Sequence, residues 1–191
     1  MTDPRRPRFD RALSLLRNSG ALPALELTLR GEIGRPGGIE ADKVTRLLTA
    51  HRFPALSLRI DSLGGDLGQA KEIATAIRRK TSSAGVEVLG ACHSAALMIL
   101  SACDYRTARP RSLFTIHNAA FDAKTHPERW TATDLRTRAR ILEEADEEMA
   151  ETLARATGGT VATWRDRMGG NLTIDGRQAF VWGLVDEIQE D

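Results

Sequence analysis

The chain has 191 residues, of which 41% are apolar and 28% charged, with a net charge of +1. That length supports one domain with a sizeable core, and the balance is ordinary for a soluble globular protein. A near-neutral charge argues against nucleic acid or an anionic membrane as a bulk partner, and no apolar run approaches transmembrane length.

Residues 1–20 are rich in Arg, Pro and Ser and read as a flexible tail, with one short helix over residues 10–18. The basic start has no apolar segment of the kind a secretory signal needs. Cys92 and Cys103 both lie in apolar surroundings, which is no disulfide framework. A reducing, cytoplasmic setting is the expectation, with both cysteines as packing thiols. Residues 21–191 are expected to form a single domain.

Leu25 to Ile33 alternates apolar and polar residues and predicts a strand, closed by the breaker cluster Gly34-Arg35-Pro36-Gly37-Gly38. Val44, Leu47 and Leu48 predict a helix over residues 39–51, and Leu56 to Ile60 a second strand. That strand runs into Asp61-Ser62-Leu63-Gly64-Gly65-Asp66. A helix follows, with Leu67, Ala70, Ile73, Ala74 and Ile77 on one face and Asp66 as its N-cap. Two glycines between a strand and a helix allow positive φ or close approach of a ligand. A phosphate loop would need a Gly-Lys-Ser/Thr ending or a GxGxxG pattern, and neither is present.

Val86 to Leu89 predicts the next strand. Gly90-Ala91-Cys92-His93-Ser94-Ala95 then leads into an apolar helix out to Cys103. Ser94 therefore stands where a strand becomes a helix. The first N–H groups of a helix lack intrahelical partners and favour developing negative charge. Two readings of Ser94 stand at this point: an N-cap, or a nucleophile with an oxyanion site beside it.

Tyr105 to Ala108 and Ser112 to His117 predict two further strands, the second closing on His117, a residue type suited to general base catalysis at neutral pH. Residues 118–133 read as a polar loop. Asp134 to Ala156 is the longest helix candidate. Its narrow seam of Leu135, Ala139, Leu142, Met149, Leu153 and Ala156 is interrupted by Asp146. The seam suits packing on a partner subunit or on its own domain. Gly158 and Gly159 end that helix, and residues 160–168 form a short one. Met168 to Leu172 is a loop, Asp175 opens another short helix that stops at Gly183, and Leu184 to Ile188 is the last strand. Strand–helix units with short connections make the chain an α/β protein, and turns such as 61–66 and 90–95 are where such sheets place ligands.

A Gly-Gly turn, a small-residue serine elbow and a strand-end histidine now stand in order. Ile60-Asp61-Ser62-Leu63-Gly64-Gly65, Gly90-Ala91-Cys92-His93-Ser94-Ala95, Phe114-Thr115-Ile116-His117-Asn118 and Gly183-Leu184-Val185-Asp186 together resemble the Clp protease proteolytic subunit family over about residues 25–188. The resemblance implies a repeated β-β-α spiral of the ClpP/crotonase type with a long protruding handle helix. It implies Ser94 as nucleophile, His117 as base, and an oxyanion and substrate-binding site at Gly64, Gly65 and Ala95, the N–H groups of Gly65 and Ala95 serving as donors. It implies no cofactor or metal, a peptide or unfolded-protein substrate, and a homo-oligomeric ring.

Four departures bear on those expectations. Asn171 stands at the aligned place of the family's catalytic Asp, and Asp166 and Asp175 lie several residues away. An amide can orient a histidine tautomer but does not stabilise an imidazolium by charge. Leu63 replaces a proline, and His93 replaces a small residue. The N-terminal tail does not resemble the loops that engage an ATPase unfoldase, which leaves that partner in doubt. The departures leave room for an inactive scaffold subunit or a peptidase of the phage prohead-maturation type. A crotonase-like acyl-CoA enzyme would need a placed Glu or Asp, which the 90–95 elbow does not supply.

Overall fold

The computed structural model describes residues 24–50, 53, 55–81, 83–121 and 129–190. The expected tail over 1–20 and its short helix lie outside the described residues. The chain divides into two compact units, one of residues 1–115 with 173–191, the other of residues 116–172.

The first unit is a parallel sheet with helices. β1 (Leu25–Arg30), β2 (Leu56–Ser62), β3 (Ala84–Cys92), β4 (Tyr105–Ala108) and β7 (Glu187–Ile188) lie side by side in that order. β2 reads apolar-in at every second residue, with Leu56, Leu58, Ile60 and Ser62 buried. The two helices α1 (Ala41–Ala50) and α2 (Leu67–Lys80) cover apolar surface with Val44 and Leu48, and with Ala70, Ile73, Ala74 and Ile77. Asp66 caps α2 as expected, accepting from Gln69 N at 2.8 Å. The last strand is shorter than the residue pattern predicts, two residues in place of five. Asp186, just before it, is instead spent on a buried pair with Arg106, both side chains being almost fully enclosed (2% and 1% exposed). Its carboxylate takes the Arg106 Nη2, Nε and backbone N–H at 2.8, 3.1 and 2.8 Å, which ties the chain's end to β4.

β3 is the strand that positions the site. It pairs with β2 from its first half to its end and with β4 in its first half, and its end also pairs with β5 (Leu113–Ile116) through Ala91 and Leu113. The β2–β3 register shifts between Ile60 and Ser62, so that Ser62 comes opposite Cys92. Such an irregularity re-aims the chain at the strand end. β5 also pairs with β6 (Leu172–Asp175), a strand where the residue pattern predicts only a loop before Asp175. Three of its four residues are exposed, so it carries no alternation to read. The short α6 (Gly176–Val181) follows, capped by Asp175 onto Gln178 N.

The second unit consists of the 26-residue α4 (Ala132–Thr157) and α5 (Val161–Gly169) with their flanking segments. Thr131 and Asp134 form a reciprocal capping box at the start of α4, and Gly158 at φ 74° ends it. Within the seam Met149 and Leu153 are enclosed, Leu142 and Ala156 are half-buried, and Leu135 is 50% exposed; Ile141, off the seam, is 46% exposed. The interrupting Asp146 has its own use, accepting the Ala119 N–H at 2.6 Å.

The architecture is mixed α/β, with a parallel sheet, helices and one long helix.

Candidate active site

The Gly-Gly turn is built by backbone hydrogen bonds from a neighbouring loop. Ile33 donates to Gly64 O at 2.7 Å and accepts from Asp66 N at 2.9 Å. The buried Ser62 hydroxyl donates to Gly31 O at 2.6 Å and accepts from Gly64 N at 3.1 Å. Both glycines have positive φ, 91° and 134°. A Cβ at Gly65 would stand 2.2 Å from Ile33 O, and one at Gly64 would stand 2.6 Å from His93 O and 2.9 Å from Ser94 Cβ. The turn is therefore pressed against the serine elbow, and side chains are excluded from both positions for that reason.

β3 ends at Cys92, and the helix α3 (Ala96–Leu100) begins too late for Ser94 to cap it: its N-cap is Ala95, with no side-chain cap bond. The cap reading of Ser94 is thus not what the structure contains. Among the described residues, the Ser94 hydroxyl makes no hydrogen bond, and its backbone is left-handed at φ 52°. For a non-glycine residue that conformation costs about 1–2 kcal/mol. Surrounding bonds hold it there: Ser94 N donates to Thr115 O at 2.9 Å, and His93 N to Ser62 O at 3.0 Å. α3 is also shorter than the expected run to Cys103, closing in turns over Ser101 and Ala102.

Two backbone donors matter for chemistry here. Among the described residues, neither the Gly65 N–H nor the Ala95 N–H has an acceptor. Gly65 is exposed, but Ala95 is 2% exposed, and a buried N–H without an acceptor is rare and costs about 1–3 kcal/mol. An oxyanion is one species that would satisfy such donors. The first unit thus brings Ser94, Gly64 and Ala95 together, with Gly65 next in the same turn.

His117 and Asn171 belong to the second unit. His117 is half-buried, and its Nδ1 bonds the Asn118 carbonyl at 2.6 Å. A carbonyl only accepts, so Nδ1 carries the proton and Nε2 is left as the basic atom. Asn171 is exposed, at φ 47°, in the turn that ends α5, with its N–H donating to Met168 O at 3.1 Å. Of the two alternative acids, Asp175 is engaged as the α6 cap, and Asp166 lies within α5.

Cys92 and Cys103 are free and buried. Burial pushes the Cys103 thiol up to about 12 and the Cys92 thiol up as well, so neither is a thiolate nucleophile at neutral pH. No group of three or more His, Cys, Asp or Glu suited to a metal occurs among the described residues, and no described helix is long and apolar enough to cross a membrane.

Residue-by-residue reading did not find the contributions of Ile33, Thr115 and the Asn118 carbonyl. Each acts through its main chain, where side-chain identity carries no signal. Residues 41–191 match the model of the family described as Clp protease. No curated protein matches the chain.

Proposed function

The chain belongs to the Clp protease family, and from that premise we propose that it is a serine endopeptidase acting on peptides or unfolded protein. In this reading the Ser94 hydroxyl attacks the scissile carbonyl. The His117 Nε2 takes its proton and then delivers it to the leaving amine, and water hydrolyses the acyl-enzyme by the same route. The Gly65 and Ala95 N–H groups receive the negative charge that develops on the carbonyl oxygen. In the working form Asn171 takes over the Nδ1–H from the Asn118 carbonyl, in place of an acid, and either acceptor selects the tautomer with a basic Nε2. The working form is a homo-oligomeric ring, for which the exposed Leu135 and Ile141 of α4 provide apolar surface.

The observation that carries the proposal is the Ser94 backbone. It is held left-handed, its hydroxyl is not used by the helix, and it is followed by a buried N–H that has no acceptor among the described residues. Strain of this kind concentrates at sites where it serves the mechanism.

A second reading, a scaffold subunit without activity, is favoured by the amide at Asn171. Fluorophosphonate labelling followed by intact mass separates the two. The endopeptidase gives one adduct on the wild type and none on Ser94→Ala, which also loses peptide cleavage while staying folded. Cleavage unchanged in Ser94→Ala, or an unlabelled wild type, ends the endopeptidase reading.

A further inference from the structure

The imidazole of His93 supplies a hydrogen-bond acceptor to the backbone of a neighbouring strand. β5 approaches the serine elbow through Thr115. The Thr115 carbonyl receives the Ser94 N–H at 2.9 Å, an ordinary main-chain bond. In a continuing parallel pair the Thr115 N–H would bond the Cys92 carbonyl, two residues before Ser94. The pairing does not continue there, since β3 ends at Cys92. The His93 carbonyl is turned to the helix, accepting from Ala96 N at 3.0 Å, with Gly64 packed against it. The Thr115 N–H bonds the His93 Nδ1 at 2.8 Å. A backbone N–H only donates, so Nδ1 is the unprotonated nitrogen and the neutral ring carries its proton on Nε2.

Thr115 has a second link. Its hydroxyl pairs with the Thr173 hydroxyl at 2.9 Å, across β5 and β6. Thr115 is the last residue before the chain enters the second unit, and Thr173 is the first after it returns. His117 follows Thr115 by two residues, and Asn171 precedes Thr173 by two. One side chain thus ties the Ser94 elbow to both points from which the segments bearing His117 and Asn171 depart.

We propose that His93 is a positioning residue whose Nδ1 clamps Thr115, and through it Thr173, to the Ser94 elbow, fixing the departure points of the His117 and Asn171 segments. The inference rests on the endopeptidase reading, because positioning has meaning only if Ser94 and His117 react together. An acceptor at the Nδ1 position is what the clamp requires. Asparagine places its Oδ1 there, whereas glutamine places its Oε1 one bond further, and alanine places nothing.

The test is the fluorophosphonate labelling rate of the full chain for wild type, His93→Asn, His93→Gln and His93→Ala. It is read beside hydrogen exchange at the Thr115 amide and the ¹⁵N signature of the His93 ring. The clamp predicts an Nε2–H tautomer in the wild type and a slow Thr115 amide in wild type and His93→Asn. Exchange is faster in His93→Gln and His93→Ala. Labelling falls about ten- to a hundredfold in His93→Gln and His93→Ala, the scale expected of a misplaced catalytic pair. His93→Asn stays within about threefold of wild type on the same scale. If His93→Ala does not fold, His93→Gln, which keeps the bulk, carries the comparison with His93→Asn. Equal rates in all four proteins overturn the inference while leaving the endopeptidase reading intact. So does an equal loss in Asn and Gln, which would assign the effect to the ring itself. A wild type that takes no label overturns the endopeptidase reading and the positioning role with it, and the amide and tautomer data then show whether the hydrogen bond exists on its own.

Discussion

Ser94 and Asn171 are the two non-glycine residues with left-handed backbone among those described, at φ 52° and 47°, and they reach it for different reasons. Asn171 lies in the turn that ends α5, exposed, with a local hydrogen bond three residues back to Met168. Asparagine is the residue type most at home there after glycine, so the conformation has a local cause. At Ser94 the local cause is weaker: serine has no comparable preference, the local bonds from Ala96 N to His93 O and from Leu97 N to Ser94 O belong to the helix start, and the residue is also held by Thr115 and by the Gly64 backbone. An unusual φ is thus informative only after the local explanation has been subtracted. At Asn171 nothing remains. At Ser94 the remainder is a strained serine that the surrounding structure holds in place.

The largest effect is expected at Gly64, which touches only the Ser94 side of this contrast. Gly64→Ala puts a Cβ 2.6 Å from His93 O and 2.9 Å from Ser94 Cβ. The elbow must then move, and fluorophosphonate labelling is expected to fall at least about a hundredfold, the scale of a misplacement near 1 Å. Labelling close to wild type would mean that the contact between turn and elbow does not govern the nucleophile.

A smaller effect is expected at Asn171. Asn171→Asp keeps a residue tolerant of the left-handed region and adds the charge that an imidazolium needs. An Asp-to-Asn change in a formed triad costs about 10⁴ in kcat. The reverse change here is expected to raise kcat/KM for a peptide substrate by at least about tenfold on that scale. No gain would mean that Asn171 does not hold His117.

The smallest effect is on stability and reads the strain itself. Ser94→Gly removes the left-handed penalty and adds the backbone entropy of glycine, so stability is expected to stay level or rise by up to about 1 kcal/mol while labelling disappears. Asn171→Gly, with little strain to relieve, is expected to lie within about 0.5 kcal/mol of wild type. Denaturant unfolding of both variants checks the pair. A Ser94→Gly protein less stable than wild type by more than about 1 kcal/mol would mean that the serine backbone is not strained.

Much of the fold was legible in residue order because its signals are local. Asp66 and Asp175 each bond an amide three residues on, and Gly158 ends α4 with its own φ. Such features need only neighbouring residues, and the apolar spacing of β2 and α2 is equally local. The order of Gly-Gly turn, serine elbow and strand-end histidine was legible too, as was the family resemblance those motifs carry.

What residue order left open depends on distant partners. Ser94 as a cap and Ser94 as a strained elbow are the same letters. The choice between them was made by Thr115, Ser62 and Gly64, which reach the elbow from other strand ends. β6 was hidden because its exposed residues show no alternation, and it exists through pairing with β5. The clamp at His93 spans 22 residues to Thr115, and the Thr115–Thr173 link spans 58. Residue order determined which groups are available and where the helices with side-chain caps start. Which hydroxyl stays unused, and which N–H groups keep no acceptor, was settled by the packing of distant segments. The physical reason is that a hydrogen bond to a backbone atom carries no trace of the partner's identity in the sequence.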